Sequence, residues 1–162
     1  MTNAPPHIMF AGGGTLGHLF SGLAVAEQLS QAEPSARITF AGNGRECERD
    51  LVRTAGFGYL TVACRPWPSR PWAAGEFIAR NFAGFVVARR FLRRQRVTAV
   101  VGLGAFASAP VAKAAVSLRL PLVLIEQNAI PGRVNRWLAP RAAVVCAGFD
   151  SVRAWLPQHD NL

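Results

Sequence analysis

His18 follows four glycines set within eight positions, Gly12, Gly13, Gly14 and Gly17, in the stretch FAGGGTLGHLFSGLAVAEQL (residues 10–29). Glycine has no Cβ, so backbone N–H groups in such a loop can close on an anion. A helix that follows adds the positive end of its dipole. A tight strand-to-helix turn without a ligand is the alternative the same glycines allow. His18 falls in the first turn of that helix, where the dipole favours the neutral ring. A neutral imidazole beside a hydroxyl is a candidate general base, and a purely structural histidine is the plain alternative.

Two further loops carry polar or glycine-rich chemistry. In GLGAFASAP (residues 102–110), Gly102 and Gly104 permit a close approach, and Ser108 offers a hydroxyl or an N-cap to the next helix. In EQNAIPG (residues 126–132), Glu126, Gln127 and Asn128 stand in a row after an apolar run. Either they line a site or Asn128 stabilises the turn before Pro131 and Gly132. The spelling Gly12-x-Gly14-x-x-Gly17 is also that of a dinucleotide loop. Its companion acid should stand about 20 residues on, at the end of the second strand. That place holds Ala41, Gly42 and Asn43, so NAD is disfavoured, while Arg45 leaves an NADP 2′-phosphate open. No DxD and no His/Cys spacing suggests a metal.

These loops need strands to carry them. Short apolar runs at His7–Ala11, Arg37–Ala41, Tyr59–Val62, Thr98–Val101, Leu122–Ile125 and Ala143–Cys146 read as six strands. Helical patterns fall at Gly17–Gln31, Glu46–Ala55, Gly75–Gln95 and Ser108–Arg119, with a short helix before the last strand. RPWPSRPW (residues 65–72) suits neither a helix nor a central strand. The alternation predicts an α/β fold, a Rossmann-like doubly wound parallel sheet of about six strands with helices on both faces. Ligands then meet the carboxyl ends of the strands, where all three loops open together.

The totals narrow the class. The 162 residues suit one domain, and a charged fraction of only 17% argues against disorder. No apolar run is long enough to span a bilayer, and the start lacks the pattern of a signal peptide. Three cysteines without CxxC spacing suggest reduced, buried thiols. The net charge is +9, and Arg65–Arg96 holds eight arginines against the single acid Glu76. Nucleic acid, an anionic membrane or a phosphorylated substrate would answer such a charge.

Three stretches in this order, GGGTLGHLFSGLAVAEQL, VVGLGAFASAPVAKAA and IEQNAIPGRVNRWLA, resemble the MurG-like N-acetylglucosaminyltransferases of peptidoglycan synthesis. The family pattern is GGGTGGHxxPxLAxA, a GGY-x-SxP loop and HEQNxxxGxxN. The resemblance implies the N-terminal, acceptor-side half of an inverting GT-B enzyme. It would occupy residues 1–157, with a linker beginning at 158–162 and a C-terminal donor domain absent. The implied reaction moves N-acetylglucosamine from UDP-GlcNAc to lipid I, an undecaprenyl-pyrophosphoryl-MurNAc-pentapeptide, with no cofactor. It implies that the first two glycine loops, with Gly13, Gly14, Gly102, Gly104 and Ser108, hold the acceptor diphosphate. Thr15, Leu16 and Gly17 would border the donor, and Asn128 would reach its sugar. His18 is implied as the base, with Glu126 lining the cleft as the next candidate. Leu16 replaces a family glycine, Ser21 a proline, Ala105-Phe106 a Gly-Tyr and Ile125 a histidine.

On a helix over residues 75–95, Ile78, Phe82, Phe85 and Leu92 share one face and Val87 and Phe91 stand nearly opposite. With Trp67 and Trp72 upstream and Arg80, Arg89, Arg90, Arg93, Arg94 and Arg96 around it, this reads as a patch for anionic lipid. The family carries a similar patch, which implies a peripheral protein on the cytoplasmic face of the bacterial inner membrane. The rivals are an NADP-binding oxidoreductase domain and a non-catalytic, membrane-associated subunit of a split transferase. Nucleic acid is disfavoured, because these aromatics keep helix-face spacing and form no strand platform.

Overall fold

The computed structural model describes residues 5–156. Six strands, β1 (His7–Ala11), β2 (Arg37–Gly42), β3 (Gly58–Thr61), β4 (Ala99–Gly102), β5 (Leu122–Glu126) and β6 (Val144–Ala147), form one sheet in the order β3-β2-β1-β4-β5-β6. Every pairing is parallel, with β1 between β2 and β4 through Phe10↔Phe40 and Phe10↔Val101. This is the Rossmann-like order expected, and its direction of winding switches between β1 and β4. The expected linker at 158–162 lies outside the described residues.

Helices cover both faces, as parallel strands require. On one side α1 (Leu16–Ala32) and α2 (Glu46–Thr54) bury Leu19, Leu23, Ala26 and Val52 against Phe10, Phe40 and Leu103. On the other, α3 (Ala74–Arg94), α4 (Ala105–Ser117) and α5 (Arg133–Leu138) pack on Met9, Val100, Leu122 and Leu124.

Three details depart from the sequence reading. First, α4 begins at Ala105, because Gly104 (φ +82°) and Ala105 (φ +59°) turn the chain at once out of β4. Ser108 is therefore no N-cap; it lies inside the helix, fully buried, and its Oγ donates to the Ala105 carbonyl at 2.9 Å. Second, RPWPSRPW does contain helix: Pro71 opens a 3₁₀ turn, Pro71–Ala73, that runs into α3. A proline fits there because the first turn needs no backbone donor. Third, Cys47 and Cys146 are exposed. Cys47 lies in the first turn of α2, and β6 has its 144 and 146 positions facing solvent while Val145 is buried. Only Cys64 is partly covered, and burial pushes its thiol up to about 11.

His7, the first residue of β1, ties that end of the sheet together. Its Nδ1 donates to the Gln95 carbonyl at 3.1 Å, which leaves Nε2 to accept from the Thr39 hydroxyl at 2.9 Å. Burial holds its pKa below the ordinary value, the Gln95 hydrogen bond opposes this, and Arg37 adds to the lowering. The unfolded chain, with an ordinary histidine near 6.5, thus binds more protons than the folded one below that pH. The stabilisation is complete above about pH 6.5 and is lost as pH falls toward the folded value. The melting temperature should therefore decline from pH 7.5 to pH 5, and more steeply than in His7→Gln. Identical slopes in the two proteins would clear His7 of that role.

Candidate functional site

The first and second loops leave β1 and β4 side by side, at the point where the winding switches direction. The third leaves β5 next to them, so all three stand on one edge. Their glycines answer first to the protein itself. A Cβ at Gly12 would lie 2.6 Å from the Leu103 Cβ, and one at Gly14 (φ +93°) would lie 2.8 Å from the Phe106 ring. The Gly12 N–H donates to the Ala41 carbonyl at 3.0 Å, and the Gly14 N–H to Glu48 Oε1 at 2.7 Å. Two of the amides expected to meet an anion are therefore already bonded. An anion at this edge would meet the amides of the first turn of α1 instead, where Thr15 provides no side-chain cap.

Thr15 turns its hydroxyl elsewhere: Oγ1 is hydrogen-bonded to His18 Nδ1. His18 is half-buried, and its Cδ2 and Nε2 lie 3.3 and 3.4 Å from where a Cβ on Gly104 would stand. Gly104 is thus a glycine in part because the imidazole passes over it. Desolvation keeps the His18 pKa below the ordinary value, against the opposing pull of the Glu126 charge. The ring is neutral at pH 7. In the tautomer that carries its proton on Nδ1, Thr15 Oγ1 accepts and the Nε2 lone pair stands on the Gly104 side, as a general base requires.

Glu126 has a different setting. It is buried, and its carboxylate accepts from Asn128 N at 3.0 Å, Asn128 Nδ2 at 2.9 Å, Gly132 N at 2.9 Å and Asn135 Nδ2 at 3.0 Å. Four N–H donors on one carboxylate make it the anchor of the loop after β5. Asn128 does stabilise this turn, through both its backbone and its side-chain amide. Leu16, which stands where the family has a glycine, is 44% exposed.

Sequence reasoning missed Asn135 and Glu48. Asn135 is buried; its Nδ2 bridges the Ile125 carbonyl and Glu126, while its Oδ1 has no partner. It sits beside Gly104, as His18 does. Its sequence signal was the closing asparagine of the HEQNxxxGxxN pattern, nine residues beyond Glu126. Glu48 gave no signal at all, since an acid in the first turn of a helix is ordinary.

The basic face of α3 is real but differently rotated. The core stripe is Gly84, Ala88 and Leu92, with Phe85 and Phe91 half-buried beside it. Ile78 (64% exposed), Phe82 (65%), Val86 and Val87 stand outside. Small residues let the helix sit low on the sheet, so apolar periodicity pointed to the wrong stripe. Phe85 stacks with Phe82, ring centroids 6.2 Å apart. With Val86 it lines a shallow depression whose other walls are Arg89, Arg90, Arg93 and Arg94. Trp72 is 77% exposed, with the Arg70 guanidinium over its ring. Glu76 is taken by Arg65 and Arg80, so nothing acidic on this segment offsets the remaining arginines. No helix among the described residues is long and apolar enough to cross a membrane.

A Rossmann-like sheet with a histidine and three loops at its switch point describes one half of a GT-B glycosyltransferase. The chain belongs to glycosyltransferase family 28, whose N-terminal domain matches residues 8–147. A UDP-N-acetylglucosamine--N-acetylmuramyl-(pentapeptide) pyrophosphoryl-undecaprenol N-acetylglucosamine transferase of Bifidobacterium adolescentis is 42% identical over 88% of this chain and 37% of its own. The enzyme of the same description from Caldanaerobacter subterraneus is 35% identical over 90% of this chain and 40% of its own. The crystal structure of Acinetobacter baumannii MurG superposes with a TM-score of 0.74 at 29% identity, over 90% of this chain and 41% of that one. A UDP-bound S. aureus MnaA, 14% identical with a TM-score of 0.67, shares the fold. The chain spans about two-fifths of the length of the curated relatives it matches.

Proposed function

We propose that this chain is the acceptor-binding half, residues 1–157, of an inverting transferase. The reaction moves N-acetylglucosamine from UDP-GlcNAc to an undecaprenyl-pyrophosphoryl-MurNAc-pentapeptide. The observation that carries the reading is His18, half-buried and hydrogen-bonded to Thr15 at the edge where the loops after β1, β4 and β5 meet. His18 Nε2 takes the proton of the acceptor hydroxyl as that oxygen attacks the anomeric carbon, and UDP leaves from the opposite face. The first turn of α1, with Thr15, Leu16 and Gly17, and the loop at Gly102 and Gly104 border the diphosphate and the donor, with Ser108 buried in α4 behind that loop. Gly13 and Gly14 give the loop its shape, and Asn128 and Glu126 hold the third wall. The donor-binding half is supplied by a second domain.

The NADP reading is not favoured. Arg45, the residue it needed, is engaged by the protein itself, with Nη1 donating to the Gly14 carbonyl at 3.1 Å. A titration separates the readings: a lipid I analogue should bind this chain alone and NADP should not. NADP binding without acceptor binding would overturn the assignment. The 162 residues alone should give no transfer from UDP-GlcNAc.

The same reading places the chain on the cytoplasmic surface of the inner membrane through Trp72, Ile78, Phe82 and the arginines of α3. Replacing Arg89, Arg90, Arg93 and Arg94 by glutamine should weaken binding to vesicles rich in anionic lipid by up to about 1 kcal/mol per charge. Co-sedimentation that ignores both the substitutions and added salt would speak against the patch.

A further inference from the structure

We propose that Glu48 is a positioning residue of this site: from α2 it sets the Gly14 peptide, and through it the Thr15–His18 pair. The proposal rests on the acceptor-site reading above and extends it to a residue outside the three loops.

Glu48 is buried directly beneath the first glycine loop. One carboxylate oxygen accepts the Gly14 N–H at 2.7 Å and the other accepts the Tyr59 hydroxyl at 3.1 Å. Tyr59 Oη in turn accepts the Gly44 N–H at 3.1 Å, so its donor and acceptor sides are both used. Arg45 holds the next peptide group, donating to the Gly14 carbonyl at 3.1 Å, so Gly14 is fixed on both sides of its Cα. The glycines are cut to fit this clasp. A Cβ on Gly13 (φ +153°) would fall 2.8 Å from Glu48 Oε2, and one on Gly42 would fall 2.4 Å from Tyr59 Oη.

A buried carboxylate is costly to desolvate, and an apolar side chain could fill the space under a plain strand-to-helix turn. What the acid supplies is direction. It holds the Gly14 amide inward, away from the cleft, at the residue next to Thr15. Thr15 then starts α1 with its hydroxyl on His18 rather than on the helix end. Release of Gly14 would free a φ +93° glycine to rotate, and Thr15 and the imidazole would move with it.

The test uses this chain, with NMR titration of His18 and binding of farnesyl diphosphate as readouts. In Glu48→Ala the His18 pKa should return toward 6.5, and the diphosphate should bind at least tenfold more weakly. Glu48→Gln keeps an acceptor for Gly14 and gives up only the Tyr59 donor bond, so both readouts should stay near wild type, within about threefold in affinity. A Glu48→Ala protein that is folded, yet titrates and binds like wild type, would overturn the proposal. If Glu48→Ala does not fold, Glu48→Asp, which keeps the charge but falls short of Gly14, should show the same rise in the His18 pKa. Its absence there would equally overturn the role. Failure of the wild-type chain to bind farnesyl diphosphate would count against the acceptor reading, while the His18 titration would still decide for or against Glu48.

Discussion

Gly84→Ala is expected to cost this domain about 3 kcal/mol or more, a fall of roughly 10 °C in melting temperature for a chain of this size. The added Cβ would stand 1.9 Å from the Ala63 carbonyl oxygen and 2.9 Å from Val62 Cγ1. The nearer obstacle is backbone at the end of β3, so no rotamer change relieves it. Either α3 lifts from the sheet, exposing Ala88 and Leu92, or the 62–64 segment moves and strains its join to β2. Gly75→Ala, in the same helix with nothing within 4 Å, supplies the control. It should leave stability unchanged or raise it by up to about 1 kcal/mol, because only helix propensity changes. Thermal melts of the two proteins decide the matter. Equal melting temperatures would mean that α3 does not pack as described.

Gly84 also shows where the sequence stopped being informative. The six strands were legible because each is a short run of apolar, often β-branched residues bounded by turn formers. Parallel order followed from the helices between them. The rotation of α3 was not legible, because its buried stripe rests on Gly84 and Ala88, which carry little hydrophobic signal. Burial there comes from closeness of backbones, not from bulk. The start of α4 was misread for a related reason: Ser108 had the side chain of a cap, whereas the turn depends on the dihedral freedom of Gly104.

The site divides the same way. Glu126 and Asn128 stood out as polar residues at a strand end, His18 as a histidine in a helix's first turn after a glycine loop, and Thr15 through the family resemblance; the structure gathers them at one edge. Their partners did not stand out. Glu48 acts from a helix 34 residues beyond Gly14, and only the fold brings the two together. The glycines of the first loop suggested a ligand pressed against backbone. In the structure, Leu103, Glu48 and Phe106 are what a side chain at Gly12, Gly13 or Gly14 would strike. An alanine at Gly14 would therefore disturb the fold as well as any ligand, and it is a poor probe of binding.

His18→Ala is the better probe, and it should have the larger effect on chemistry. In a protein that carries both halves, turnover should fall by roughly 10² to 10⁴, the usual worth of a positioned base. Acceptor affinity should change little, since the proposed diphosphate site uses backbone amides and not the imidazole. The pH profile makes the assignment specific. A base with its pKa below the ordinary 6.5 puts the acid limb of kcat/KM below that pH, and activity should hold steady from pH 8 down to about 6.5. Residual activity in His18→Ala should lose that limb. Thr15→Val, which removes the hydroxyl bonded to Nδ1, should lower turnover less and leave the limb in place, shifted. Were His18→Ala to keep the acid limb at a similar pH, the proton would be leaving through another group. Glu126 would be the one to test next, with Asn135→Asp as the check on whether its four-donor cage can be loosened without loss of the loop.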